Sequence, residues 1–252
     1  MSKLASAFCG KKVFMAFFVC GDPDMESTEK AVLAAIAGGA DMIELNIPFS
    51  DPTAGDSVIQ EANIRALAQG TTTDSVFDLI RRLRKETEVP VLLSGYANVI
   101  FSYGADRFLK TCADIGVDGI IVPDLPFEER EEFLPQCEKY GVDLIYMLAV
   151  TSGSRVTVIA QEAKGFLYIM ACPGDREQEL TSIMDQVRSC SDIPCVVCLN
   201  GTEDSRFVPV AAKTDGIVMD APFVELAARY GKDAYKYIGG FASYVKKLLA
   251  DC

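Results

Sequence analysis

The sequence predicts an α/β fold, a TIM (β/α)8 barrel formed as a single domain over residues 1–252. Three observations predict it. Short apolar, β-rich runs alternate with longer helical patterns from one end of the chain to the other, which is the mark of βα units around a parallel sheet. The 252 residues, half of them hydrophobic, can bury one large core, and no Pro/Gly/Ser-rich linker or charge block divides them into two smaller domains. Glu44, Asp51, Asp56, Tyr96, Asp124 and Asp220 fall at or just beyond the carboxyl ends of the apolar runs, where barrels of this kind place their active sites.

Eight strands are predicted: Val13 to Cys20, Met42 to Ile47, Val89 to Ser94, Gly119 to Val122, Asp143 to Ala149, Gly165 to Ala171, Pro194 to Leu199 and Gly216 to Met219. Several are apolar throughout, as expected when the barrel interior covers one face and a shell of helices the other. Helix starts are signalled by Ser27, Thr73 and Thr202, each able to cap a following helix through its side-chain oxygen. Between Asp74 and Arg84, Val76, Leu79, Ile80 and Leu83 recur at helical spacing, which turns one stripe to the sheet and sends Arg81, Arg82 and Arg84 to solvent.

The formal net charge of −12 argues against nucleic acid or an anionic membrane surface as a partner, because both demand clustered Lys and Arg. No apolar run approaches the roughly 20 residues of a membrane span and the N-terminus lacks the zones of a signal peptide, so a cytoplasmic protein is expected. The nine cysteines are odd in number and scattered through apolar segments, which suits reduced, buried thiols. Cys195 and Cys198 form a C-x-x-C, but on a strand that spacing points them to opposite faces and weakens a redox or metal reading. The chain has no His, which removes Ser-His-Asp and Cys-His nucleophile systems and most zinc sites; no metal is expected. No Walker A or dinucleotide glycine pattern follows a strand, so no cofactor is expected either.

The segment Met42 to Pro52 carries the most chemistry. Ile43, Leu45 and Ile47 alternate with Glu44 and Asn46, so a period of 2 gathers the two polar side chains on one face of a strand that should be enclosed. Burial disfavours the charged form of a carboxylate and lifts its pKa toward neutrality, which is how a general acid/base is made. The competing reading for Glu44 is a carboxylate paired inside the barrel.

Phe17-Phe-Val-Cys-Gly-Asp-Pro23, Glu44-Leu-Asn-Ile-Pro-Phe-Ser-Asp-Pro52, Ile59-Gln-Glu-Ala-Asn63, Tyr96-Ala-Asn-Val-Ile-Phe101 and Val122-Pro-Asp-Leu-Pro126 together resemble the α subunit of tryptophan synthase. The resemblance implies a TIM barrel that cleaves indole-3-glycerol phosphate, by a retro-aldol reaction, into indole and glyceraldehyde 3-phosphate. It also implies a pyridoxal-phosphate-dependent β subunit as partner. Glu44 matches the acid/base position. Phe17, Tyr96, Ile121 and Met147 are expected to bind substrate, although an aromatic at 17 or 96 could equally be core. The family pattern after Ser-Asp-Pro is x-Ala-Asp-Gly-Pro, whereas this chain reads Thr53-Ala-Gly-Asp-Ser57, so the second catalytic carboxylate is displaced to Asp56. Asp56 either faces the indole or merely caps the next helix.

Family members hold phosphate on glycine-rich backbone loops after the last three strands. The corresponding stretches here are Gly174-Asp-Arg-Glu177, Cys198-Leu-Asn200 and Asp220-Ala221, with most glycines gone and acids present. Arg176, Asn200 and Ala221 are the expected contacts at this end. Arg176 would either clamp a phosphate or pair with Asp220 and plug the pocket. Two further readings stay open: a family member acting on a different, unphosphorylated substrate, and a non-catalytic partner of a β subunit.

Overall fold

The computed structural model describes residues 3–171, 176–199 and 207–252. Its sheet contains β1 (Val13–Val19), β2 (Met42–Asn46), β3 (Val91–Ser94), β4 (Gly119–Ile121), β5 (Asp143–Ile145), β6 (Met147–Leu148), β7 (Leu167–Met170), β8 (Cys195–Leu199) and β9 (Gly216–Met219). Each lies inside its predicted segment. The order β5-β4-β3-β2-β1-β9-β8-β7-β6 is parallel throughout. β5 and β6 are the two halves of one predicted strand, interrupted at Tyr146. β5 pairs with β4, β6 pairs with β7, and Tyr168 N donates to Tyr146 O at 3.0 Å, so eight staves make the barrel.

Side-chain alternation divides the core in two. Val13, Met15, Phe17, Met42, Leu92, Ile121, Tyr168, Val196, Cys198 and Val218 fill the interior, while Phe14, Ala16, Ile43, Leu45, Leu93, Val197 and Ile217 meet the surrounding helices. Cys195 and Cys198 lie on opposite faces as their spacing requires, and no described cysteine is bridged. The amino end of the barrel is stoppered by α1 (Lys3–Ala7), whose Leu4 is fully buried in the interior cluster. A Cβ on Gly119 or Gly165 would stand 3.0 or 3.4 Å from Leu4 Cδ1, so the small residues there make room for the stopper.

Around the sheet lie α2 (Met25–Ala37), α3 (Ser57–Ala68), α4 (Thr73–Glu86), α5 (Ala97–Tyr103), α6 (Ala105–Asp114), α7 (Leu134–Tyr140), α8 (Arg155–Glu162), α9 (Glu177–Arg188), α10 (Phe207–Lys213), α11 (Ala221–Tyr230) and α12 (Tyr235–Ala250). Two predicted caps move. Asp24, not Ser27, caps α2 by accepting from Ser27 N, and Thr72, not Thr73, caps α4 by accepting from Ser75 N. In each case the nearest extended residue upstream has an oxygen that reaches the third amide. Thr202 lies outside the described residues. Arg84 also departs from expectation. It is mostly buried, ion-paired with Asp118 at 2.6 Å, and donates to Gly116 O and Val89 O, so it ties α4 to the sheet instead of facing water.

The loops after β1 and β2 are pinned to α3. Arg65 makes a two-pronged ion pair with Asp22, each contact 2.8 Å, and Asp22 is almost fully buried. Gly21 precedes it at φ +87°, where a Cβ would fall 2.0 Å from Thr71 Oγ1. Only glycine fits both the backbone and the contact.

Candidate active site

A pocket opens at the carboxyl ends of the strands, with Glu44 on its wall. Phe17, Glu44, Asp56, Tyr96, Ile121 and Met147 all line it, so six of the expected site residues converge. Residues that sequence reasoning did not assign to the pocket join them: Asn46, Ile59, Asn63, Ser94, Tyr168, Met170 and Cys198, together with Asp220. For those on strands the signal was interior parity, legible only once the register is known: Phe17 sits opposite Glu44, Glu44 opposite Leu92, and Asn46 opposite Ser94; Ile59 and Asn63 reach the pocket from α3.

Glu44 is 3% exposed and, among the described residues, its Oε2 has no hydrogen-bond partner, which argues against the paired-carboxylate reading. Burial pushes its pKa from 4.5 up to about 8; the neighbouring Ser94 hydroxyl opposes the rise and the Asp220 carboxylate adds to it. Ser94 Oγ is itself without a hydrogen-bond partner, so it moderates Glu44 without closing a well-formed bond. An enclosed carboxyl that carries its proton at neutral pH and lines a pocket can deliver and recover a proton.

The rim is built from hydrogen bonds that order the loop after β2. Asn63 Oδ1 accepts from Asn46 Nδ2 at 3.2 Å and from Phe49 N at 2.9 Å, while Asn63 Nδ2 donates to Ile59 O. The Tyr96 hydroxyl accepts from Ala54 N at 2.9 Å, and its ring stacks on Phe49 with centroids 4.9 Å apart. Tyr96 is therefore both a wall and a strut. Asp56 does two things at once: it caps α3 by accepting from Ile59 N at 3.1 Å, and it lines the pocket.

The opposite end differs from expectation. Arg176 neither lines the pocket nor pairs with Asp220; it sits exposed at the start of α9, paired with Glu179 at 2.7 Å. A carboxylate one helical turn away on its own element captures the guanidinium, and the plug is not formed. Ala221 is buried and outside the lining, and its N–H donates to Asp220 Oδ1 at 2.6 Å. Asp220 Oδ2 accepts from Cys198 Sγ at 3.2 Å, and enclosure raises the pKa of its carboxyl. Asn200 lies outside the described residues. Among the described residues no group of three or more His, Cys, Asp or Glu is arranged to hold a metal ion, and no helix is long and apolar enough to cross a membrane.

A (β/α)8 barrel with a proton-bearing buried carboxyl in the pocket at the carboxyl ends of its strands defines a barrel enzyme equipped for acid/base chemistry. The family model for the tryptophan synthase alpha chain matches residues 5–248, and the chain belongs to that family. It is 40% identical to the tryptophan synthase alpha chain of Lacticaseibacillus casei over 252 residues, covering 98% of this chain and 95% of that one. With the alpha chain of Citrifermentans bemidjiense it shares 38% identity over 260 residues, at 98% and 97% coverage. The crystal structure of tryptophan synthase subunit alpha from Legionella pneumophila superposes with a TM-score of 0.92 at 31% identity, covering 100% of both chains.

Proposed function

We propose that this chain cleaves indole-3-glycerol phosphate to indole and glyceraldehyde 3-phosphate, and that it works in the cytoplasm beside a pyridoxal-phosphate-dependent β subunit, all within the one barrel domain of residues 1–252. The single observation that carries the chemistry is Glu44, buried, unpaired at Oε2 among the described residues and protonated near neutrality on the wall of the pocket.

In this reading Glu44 gives its proton to indole carbon 3, which loosens the bond to the glycerol chain. As that bond breaks, its electron pair returns to the ring, the neighbouring hydroxyl becomes the aldehyde, and Glu44 takes back the hydroxyl proton. The carboxyl ends the cycle as it began, so no external base is needed. Asp56 faces the indole N–H and offsets the positive charge that the protonated ring carries, while its second duty as the α3 cap holds it in place. Phe17, Ile121 and Met147 supply the apolar walls for the ring, and Tyr96 fixes the rim. For partnership, the reading rests on family membership and on the likeness to the crystal structure of a tryptophan synthase complex from Pyrococcus furiosus, at a TM-score of 0.86 and 27% identity.

The test is indole release from indole-3-glycerol phosphate by the purified chain, alone and with a β subunit. Release that disappears in Glu44→Gln is the expected result. A folded wild-type protein that yields no indole under either condition would overturn the reading.

A further inference from the structure

Asn46 lines the pocket from β2, two residues beyond Glu44 on the same face, and is only 6% exposed. Its amide fits one way round. Asn63 Oδ1 already accepts from the Phe49 main-chain N–H, and Asn63 Nδ2 donates to the Ile59 carbonyl, so the atom that Asn63 turns to Asn46 is an acceptor. Asn46 meets it with Nδ2 at 3.2 Å, which leaves Oδ1 as the uncommitted end of the amide; among the described residues none donates to it. The next strand shows the same lack. Ser94, in register with Asn46, also lines the pocket, and its buried Oγ has no hydrogen-bond partner among the described residues. Polar atoms that the chain leaves unsatisfied among apolar walls such as Phe17, Ile59, Ile121 and Met147 mark where a ligand brings polar groups of its own.

We propose that Asn46 is a specificity-determining residue: its Oδ1 accepts the N–H of the substrate's indole ring, beside Asp56, and so fixes which edge of the ring faces β2. The inference rests on reading the pocket as the indole-glycerol site. Chemistry separates the two unsatisfied groups on this wall. Ser94 neighbours Glu44, where the hydroxyl proton moves, and its hydroxyl both donates and accepts. Asn46 Oδ1 only accepts, which matches an indole N–H that only donates. Spacing agrees, because a strand rises about 3.3 Å per residue and sets Asn46 about 6.6 Å from Glu44 along β2. That leaves room for the five-membered ring to present carbon 3 to Glu44 and its N–H to Asn46. Asp56 has one oxygen engaged by Ile59 N, whereas Asn46 Oδ1 has no such duty. Every group in this contact lies on β2, β3 or the start of α3.

The experiment is calorimetry on the full chain with two ligands: an indole-3-propyl phosphate, which lacks the side-chain hydroxyls and cannot be cleaved, and its benzofuran counterpart, in which oxygen replaces the N–H at nearly the same size. Indole release from indole-3-glycerol phosphate is followed beside it. Wild type is expected to bind the indole ligand about tenfold tighter, because the benzofuran oxygen sets one acceptor against another. Asn46→Leu, close in size, and Asn46→Gly, which clears the side chain, should each cut that preference about fivefold and leave benzofuran binding as strong or stronger. Wild type binding both ligands alike would overturn the proposal whether or not the variants fold. A preference retained in the variants, with the two ligands weakened equally or not at all, would overturn it too, since Asn46 would then do no more than support Asn63. Because calorimetry needs no turnover, a preference that depends on Asn46 but comes without indole release would reject the proposed reaction and leave the ring contact standing; indole release without that preference would do the reverse.

Discussion

Replacing Glu44 by Gln should make the protein more stable than wild type at high pH, in a quantity that the structure sets. The unfolded chain ionises Glu44 near 4.5 and the folded chain near 8, because burial disfavours the carboxylate. Folding therefore takes up a proton across that window, and wild-type stability falls as pH rises through it. At about 1.36 kcal/mol per pH unit, the loss between pH 5 and pH 9 is about 4 kcal/mol. Gln carries no such proton. Its amide suffers its own burial cost of about 1–3 kcal/mol, but that cost does not vary with pH and cancels when the two conditions are compared. Urea unfolding of both proteins at pH 5, 7 and 9 measures the difference directly; with m near 3 kcal/mol/M, the gap between midpoints should move by more than about 1 M in favour of Gln from pH 5 to pH 9. Midpoints that track each other across this range would mean that Glu44 ionises as an ordinary carboxylate, and the acid/base role would lose its physical basis.

Three further outcomes follow from particular contacts. Asp56→Asn keeps the α3 cap and removes the charge, so thermal unfolding should stay within about 0.5 kcal/mol of wild type while indole release falls about 100-fold; Asp56→Ala should lose about 1 kcal/mol as well. Tyr96→Phe removes the acceptor for Ala54 N and should raise KM several-fold through a looser rim, with little change in the unfolding midpoint, because the amide it releases can reach water. Leu4→Ala opens the amino end of the barrel and should cost about 2–5 kcal/mol in urea unfolding without altering KM, since the stopper lies at the far end from the pocket.

Loop hydrogen bonding explains how the displaced aspartate can be tolerated. The aspartate displaced to position 56 still reaches the pocket because Gly55 precedes it and the α3 start fixes its oxygen. Arg176 is not drawn to the pocket. Arg176 offers a charge of the right sign, but Glu179 lies on the same helix within reach, and a local pair forms at lower entropic cost than one across a loop.

The strands and the eight-stave barrel were legible in the chain because hydrophobic period and strand ends are local properties, whereas Phe17, Asp56, Tyr96, Ile121 and Met147 were placed at the site by the family resemblance. Glu44 could be singled out since a carboxylate interrupting an apolar alternation has few bland explanations. Whether its oxygen was paired, and how far its proton would be held, depended on Ser94 from β3 and Asp220 from the end of β9, residues far apart in sequence. Arg84 shows the same division: its helical phase placed it at the edge of a solvated face, but Asp118 and the Gly116 carbonyl, brought in by the neighbouring unit, drew it inward. Local pattern determined which faces the side chains occupy; only the closed barrel decided which partners they meet, because burial and charge act through space and not along the chain.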